Sequence, residues 1–583
     1  MRKTKIVCTL GPATERNNIL RQLFINGMNV ARLNFSHGTH DEHRKTVEKF
    51  MALRDELDIP VGLLMDTKGP EIRVQQFEKD RIELKAGSIF TLTTDDVVGN
   101  EKIVSVTYKG LTNDVDRGDI ILIDDGLIKL KVVSRNKIEI QCEVINGGPV
   151  SNNKGINVPN VSINMPYINE RDRKDFQFVT ENNFDFIAAS FVKNASCIKE
   201  LRRTLEDYGG GNLKIIAKIE NREGVDNADD IIRISDGVMI ARGDMGVEIP
   251  FEELPSIQKE LISKCYLAGK PVITATQMLD SMIHNPRPTR AEITDVANAI
   301  YDGTSAIMLS GETSIGKYPL EALLTMSKIA IHAEKNIDYI SRFNNTHFAV
   351  SRNVTNAISH ATCVTAHTLD ASAIISVTKS GHTAQMISKF RPASPIIATT
   401  VNRNVYWQLS LSWGVRPVLT EIKDSTDDIF DQAIEKASNS DIIKNGDLVV
   451  ITGGTPAGIS GTTNTLKVHI IGDVLVEGKG LNNLSVTGNL YVVHKKDDAM
   501  KDFNAGDIVV ISKTTDEILL ALKYASGVIT EEDEEDSRAA VVGMALEIPV
   551  IANAVEATTV LKSGTVVSLD ALSGVVYSGL KRN

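Results

Sequence analysis

Ile216-Ala-Lys-Ile-Glu-Asn221 and, shortly after it, Gly237-Val-Met-Ile-Ala-Arg-Gly-Asp-Met-Gly246 decide how this chain is read. Each is an apolar run of strand length that ends abruptly in charge. Two neighbouring buried strands of this kind carry Lys218, Glu220 and Asp244 to their ends, the place where a (β/α)8 barrel presents its working groups.

Working outward, short apolar segments at residues 5–9, 28–33, 61–65, 184–189, 214–219, 237–241, 271–275 and 305–309 alternate with helical patterns such as 194–206 and 251–267. This spacing predicts a closed α/β barrel. The third crossover breaks the pattern, because residues 81–84, 102–107, 120–133 and 137–144 alternate with period two between Gly, Asn and Asp. Residues 70–167 therefore read as an all-β domain inserted into a barrel made of 1–69 and 168–340. A long helix is expected near 319–340, followed by the polar link Ser341-Arg-Phe-Asn-Asn-Thr346. Strands at 373–377, 395–400 and 447–452 with a helix at 427–439 predict an open α/β domain over 341–471. Strands at 490–493, 508–512 and 549–552 place a fourth, appended α/β module at 472–583.

Composition narrows the function. A chain of 583 residues spans about three to five domains at roughly 100–200 residues each. The net charge of −11 argues against nucleic-acid binding. No apolar span long enough for a membrane is present, and no secretory leader opens the sequence. Five scattered cysteines without metal-ligand spacing fit a reducing compartment, so the expected location is cytoplasmic. The acidic run Glu531-Glu-Asp-Glu-Glu-Asp536 is expected to be a solvated loop.

Polar residues gather where the predicted barrel strands end. Arg32, Asn34 and Ser36 follow the second strand, and Asp66 and Thr67 the third. Lys218 and Glu220 close the fifth, Asp244 follows the sixth, Thr276 and Gln277 the seventh, and Ser310 and Glu312 the eighth. Lys218 and Glu220 share strand parity, so a buried lysine there needs a carboxylate or an anionic substrate. A structural ion pair is the competing explanation, weakened by the approach of Asp244. Two carboxylates with substrate oxygens suit Mg2+ (or Mn2+), which prefers about six oxygens. The glycine-flanked turn Arg242-Gly-Asp-Met-Gly246 either exposes N–H groups to an anion or merely turns the chain. Gly311-Glu-Thr-Ser-Ile-Gly-Lys317 imitates a phosphate-binding loop, but Tyr318 stands where a metal-binding hydroxyl is required.

These segments, with Asn29-Val-Ala-Arg-Leu-Asn-Phe-Ser-His-Gly38, Met65-Asp-Thr-Lys-Gly-Pro-Glu-Ile-Arg73, Thr274-Ala-Thr-Gln-Met-Leu279, Asn285-Pro-Arg-Pro-Thr-Arg-Ala-Glu292 and Met308-Leu-Ser-Gly-Glu-Thr313, resemble the pyruvate kinase family over residues 1–470. The resemblance implies a (β/α)8 TIM barrel with an inserted β-barrel lid and an α/β regulatory domain. It implies phosphoryl transfer from phosphoenolpyruvate to ADP, giving pyruvate and ATP, in a homotetramer. By it, Glu220 and Asp244 bind the divalent metal and Lys218 neutralises the transferring phosphoryl group. Arg32 and Arg73 grip phosphates, and the N–H groups of Gly243 and Asp244 hold the substrate carboxylate. Thr276, with Ser310 and Glu312, helps to deliver a proton to the enolate. Asn34, Ser36, Asp66 and Thr67 match ligands of K+. Pro12, Asn34, His37, Arg73 and Arg171 lie near the nucleotide, Arg171 standing where many relatives have lysine. Relatives that work without K+ tend to carry lysine at the position of Glu71.

In the third domain, Thr378, Lys379, Ser380, Gly381, His382 and Thr383 resemble the family's loop for a phosphorylated allosteric effector. Gly453-Gly-Thr-Pro-Ala-Gly458 lacks the Trp and Arg of relatives that respond to fructose 1,6-bisphosphate, so another sugar phosphate or a nucleoside monophosphate is implied. The appended module resembles the mobile phosphohistidine domain of phosphoenolpyruvate-utilising enzymes. Asp536-Ser537-Arg538 stands where related bacterial pyruvate kinases have Thr-Ser-His. Two alternatives remain at this point: another metal-dependent barrel enzyme of phosphoenolpyruvate or pyruvate, or a catalytically dead scaffold. The second is expected to lose Lys218, Glu220 or Asp244, and all three are present.

Overall fold

Eight strands, each buried along nearly its whole length, close into a parallel barrel in sequential order. They are β1 (Lys5–Thr9), β2 (Val30–Asn34), β3 (Gly62–Asp66), β4 (Phe186–Ala189), β5 (Lys214–Ile219), β6 (Gly237–Ala241), β7 (Val272–Ala275) and β8 (Ala306–Leu309). The computed structural model describes residues 2–16, 18–346, 353–423, 425–444, 447–454, 463–471, 474–493, 503–533 and 537–579. The parallel registers run Val30↔Gly62, Phe186↔Lys214 and Ile216↔Gly237. Residues of one parity, among them Val7, Val30, Leu64, Ala188, Ile216, Met239, Ile273 and Met308, fill the barrel interior. The opposite parity, with Ile6, Leu63, Ile215 and Ile240, packs under the surrounding helices.

Between β3 and β4 the chain builds a seven-stranded sheet with its own core, which includes Phe90, Leu130 and Val144. The expected single run over 120–133 is two strands, Ile120–Ile123 and Ile128–Arg135. Asp124, Asp125 and Gly126 take φ values of 57°, 53° and 85° and turn the chain back on itself, a conformation that Asp and Gly tolerate.

A short helix, α1 (Arg242–Glu248), follows β6 directly. The long helix expected near 319–340 is shorter, because α2 covers only Pro319–Lys335. A further helix, α3 (Tyr339–Asn345), comes next, its N-cap Asp338 accepting from Ser341 N–H. That cap turns most of the expected polar link into helix.

The chain divides into one compact unit of Met1–Ser359 with Thr378–Glu421 and another of His360–Val377 with Ile422–Asn583. In the first, Ile396–Thr400 pairs in parallel with Val415–Leu419, a strand that the sequence reading missed, and α4 covers His382–Lys389. In the second, Ala373–Val377 runs parallel to Leu448–Gly453, which pairs antiparallel with Thr465–Ile470. An eight-stranded mixed sheet completes that unit, with Ser485–Val493, Ile508–Ile511, Gly527–Thr530 and Val550–Ala552 as its parallel centre. The acidic run there is not simply solvated. Glu531 accepts from the N–H and hydroxyl of Thr558, and Glu532 from those of Thr514. Residues 534–536 lie outside the described part. Among the described residues, no helix is long and apolar enough to cross a membrane.

Candidate active site

Two residues further along each strand from the inward-facing layer lie Thr9, Arg32, Asp66, Ser190 and Lys218, all on the C-terminal side of the barrel. The structure joins them. Lys218 Nζ lies 2.9 Å from Asp66 Oδ1, 2.9 Å from Glu220 Oε1 and 2.7 Å from Ser190 Oγ. Arg32 Nε donates to Asp66 Oδ2 at 2.6 Å, and its Nη1 to Thr9 Oγ1 at 2.9 Å. Asp66 thus sits between two cations. Ser190 and Thr9 were missed by the sequence reading, although both follow the same parity rule at the ends of β4 and β1.

Burial works against every charge here. It pushes Glu220, which has no exposed surface, up to about 7 in spite of Lys218. It would also raise Asp66, but Arg32 and Lys218 outweigh it and hold that carboxyl below the ordinary range. For Lys218, burial favours the neutral amine, yet Asp66, Glu220 and Asp244 keep it above the usual lysine value. Lys218 is therefore a permanent cation at the barrel mouth.

Glu220 Oε2 accepts from Phe191 N–H at 2.6 Å. Its other oxygen is buried and, among the described residues, has the Lys218 ammonium as its one polar neighbour. Asp244, in the first turn of α1, lines an adjoining cavity of about 600 Å³ with His37, Glu71, Arg73 and Lys193. A buried carboxylate oxygen with lone pairs left over from its ion pair, electrostatically coupled to a second carboxylate, Asp244, is a donor set that fits a hard divalent cation. Among the described residues no group of three or more His, Cys, Asp or Glu side chains stands ready to hold a metal unaided.

The other expected residues fall into place unevenly. Asn34 and Asp66 are partners across β2 and β3, Asn34 Oδ1 accepts from Ser36 N–H, and Thr67 Oγ1 accepts from Ser190 N–H. Gly243 N–H donates to Thr276 Oγ1 at 2.8 Å, so in this state that amide is engaged by the threonine. Thr276 and Gln277 both have positive φ, 66° and 53°, strain that recurs at functional sites. Glu312 is buried and accepts from the N–H groups of Leu279 and Ser310, while Ser310 Oγ is buried with no hydrogen-bond partner among the described residues. The sequence resembling a phosphate loop is thereby spent on a short helix, Gly311–Ser314, whose Glu312 faces inward. A side chain at Gly316 would collide with the Glu312 carbonyl at 2.4 Å.

Arg73, on the inserted domain, is clamped by Glu71 at 2.6 Å and donates to the Asn153 carbonyl. Arg171 donates to the Phe35 carbonyl, and Pro12 lies exposed in the turn after β1. In the loop at 378–383, Thr378 Oγ1 accepts from Gly381 N–H, Gly381 has φ 83°, Lys379 and Ser380 are exposed, and Thr383 is buried at the start of α4. A Cβ on Gly381 would press on Leu409 and Val405 at 3.3 Å. Of the loop at 453–458, residues 455–458 lie outside the described part.

A closed parallel barrel with a buried lysine, paired carboxylates and an arginine at its C-terminal mouth defines a barrel enzyme acting on an anionic substrate. Residues 1–323 match the pyruvate kinase barrel domain, 356–469 the pyruvate kinase alpha/beta domain, and 503–574 the mobile domain of PEP-utilising enzymes. Pyruvate kinases from Bacillus licheniformis and Geobacillus stearothermophilus are each 48% identical, over 581 and 580 residues, covering 99% of this chain and 99% of each relative. A solved pyruvate kinase from Cryptosporidium parvum superposes with a TM-score of 0.77 at 40% identity, over 81% of this chain and 96% of that one. The chain belongs to the pyruvate kinase family.

Proposed function

We propose that this chain transfers the phosphoryl group of phosphoenolpyruvate to ADP. The observation that carries the reading is the buried Lys218 cation, held at the barrel mouth by Asp66 and Glu220. A divalent cation held by Glu220 and Asp244, completed by substrate oxygens and water, would supply positive charge to the transferring group. The protein's own part is positioning and charge. Lys218 and Arg32 face the site that the phosphoryl group occupies, and Arg73 reaches it from the inserted domain. Their fixed cations stabilise a charge-dispersed transition state without reorganising. The threonine hydroxyl at 276 orients near the substrate carboxylate and, with Ser310 and Glu312, serves proton delivery to the enolate carbon.

Several finer elements belong to the same proposal. K+ is held near Asn34, Ser36, Asp66 and Thr67. ADP lies near Pro12, Asn34, His37, Arg73 and Arg171. A phosphorylated effector binds at 378–383, and the enzyme is a cytoplasmic homotetramer. The inserted domain at 70–167 acts as a lid. Pyruvate formation measured with ADP, Mg2+ and K+ present, and with each omitted in turn, tests the reading. Turnover that does not need ADP would point instead to another phosphoenolpyruvate enzyme.

A further inference from the structure

On the opposite side of the barrel from the active site, Arg391 is held just after the end of α4 and is only 5% exposed. Its Nη2 donates to the Gly303 carbonyl at 3.0 Å and to Ser305 Oγ at 2.9 Å. Its Nε and Nη1 are buried with no hydrogen-bond partner among the described residues. The rings of Trp413 and Tyr266 lie 4.5 Å and 5.6 Å from the guanidinium carbon. Arginine donates in the plane of its guanidinium, so rings stacked on its faces leave those N–H groups unanswered. Burial draws its pKa down to about 10, the direction expected of a cation short of compensation.

The pocket at this arginine is lined by Lys270, Lys389, Ser305, Ser388, Ser412 and Gln385 among others, and no carboxylate lines it among the described residues. The carboxylate that acts on Arg391 from further off, Glu334, is engaged by the N–H groups of Lys3 and Thr4. Arg391 also holds a φ of 49°, a left-handed conformation that a non-glycine residue keeps only where its surroundings demand it. Neutral water could answer the two N–H groups, but it would leave the charge of a buried guanidinium without a countercharge at close range.

We infer that this pocket binds a small tetrahedral oxyanion of the phosphate or sulfate class, with Arg391 as its principal ligand. The anion would join the C-terminal end of α4 to Ser305 and Pro271, the residues that lead into β8 and β7. It is a separate site from the loop at 378–383, which opens the same helix at its other end.

The test uses the full-length protein. Crystals soaked in selenate should give an anomalous peak within hydrogen-bonding distance of Arg391. Equilibrium dialysis with radiolabelled inorganic phosphate, at saturating phosphoenolpyruvate, should show one equivalent per chain fewer for Arg391→Met than for wild type. Should Arg391→Met fail to fold, Lys389→Met should keep that equivalent with affinity reduced about tenfold. Sulfate should displace the label and chloride should not, and displacement by chloride equal to that by sulfate would overturn the inference. So would water alone at Arg391 in crystals where selenate occupies other sites, or equal phosphate binding by every variant that folds.

Discussion

Asp66 bridges Arg32 and Lys218, with one carboxylate oxygen 2.6 Å from Arg32 Nε and the other 2.9 Å from Lys218 Nζ. Two cations converging on the proposed phosphoryl site would repel one another, and the buried carboxylate between them offsets that repulsion. It also fixes both side chains in advance of substrate, so their ordering is not left to the moment of reaction.

Lys218→Met should lower kcat by about 10³-fold or more, the scale associated with cations on a transferring phosphoryl group. Burial with Asp66 makes an alternative role easy to state: a structural ion pair, whose loss would reduce stability and leave kinetics nearly intact. Steady-state kinetics beside urea denaturation separate the two. A kcat within tenfold of wild type would reduce Lys218 to that structural role.

Most of the fold was legible because burial on both strand faces leaves continuous apolar runs, as at Gly237–Ala241. Lys218, Glu220 and Asp244 could be picked out because charge at the end of such a run is chemically conspicuous. Ser190 is not conspicuous, and only the parity of Ala188 within the interior layer points to it. The bond from Gly243 to Thr276 depends on two successive left-handed residues, neither of them glycine, and no periodic pattern signals that. The split of the helix near 319–340 turned on a single cap at Asp338, which lies inside an otherwise helical stretch.

The enzyme should require K+. Glu71 stands where K+-independent relatives tend to carry lysine, so the missing positive charge has to come from solution. Glu71 also clamps Arg73 at 2.6 Å. Glu71→Lys should therefore relax the K+ requirement while raising KM for ADP, because Arg73 loses its partner. Glu71→Gln should raise KM without relaxing it. Assays in tetramethylammonium buffer decide the matter, and full wild-type activity there would refute the requirement.

Asp185 makes a pH prediction whose sign can be worked out. Burial pushes its carboxyl up to about 6 even though Arg54 and Leu63 N–H favour the charged form. The folded state then holds a proton that the unfolded chain, near 3.8, has already lost. Its contribution is complete at the acid end and disappears as pH rises through about 6. Asp185→Asn cannot titrate, so from pH 4.5 to 7 the variant should gain on wild type by on the order of 2 kcal/mol. Urea midpoints at the two pH values would show it, and a difference that does not change with pH would rule it out.

A phosphorylated metabolite should lower KM for phosphoenolpyruvate about fivefold or more through the loop at 378–383. Ser380 is exposed there, beside the turn fixed by Gly381 N–H and Thr378 Oγ1. Ser380→Glu places a negative charge where the proposed effector's phosphate would sit, and activation should vanish. Nucleoside monophosphates and sugar phosphates can be screened on wild type first. Activation that survives Ser380→Glu moves the effector site elsewhere.

The appended module should take no part in phosphoryl transfer. Where a phosphohistidine would be needed, Arg538 opens a helix and pairs across the surface with Asp516 at 3.0 Å, both side chains well exposed. A guanidinium stays protonated and has no free lone pair for attack on phosphorus. Glu532 is held by Thr514, whose hydroxyl also accepts from Ala539 N–H, which keeps a carboxylate close to the position a phosphate would approach. Such an exposed ion pair contributes little stability, so Arg538→Ala should leave melting temperature and kcat nearly unchanged. Incubating the full chain with radiolabelled phosphoenolpyruvate should leave no acid-labile label on residues 503–574. The span contains no histidine, so label recovered on any residue of it would show that the module retains a transfer function which its residue at 538 cannot supply.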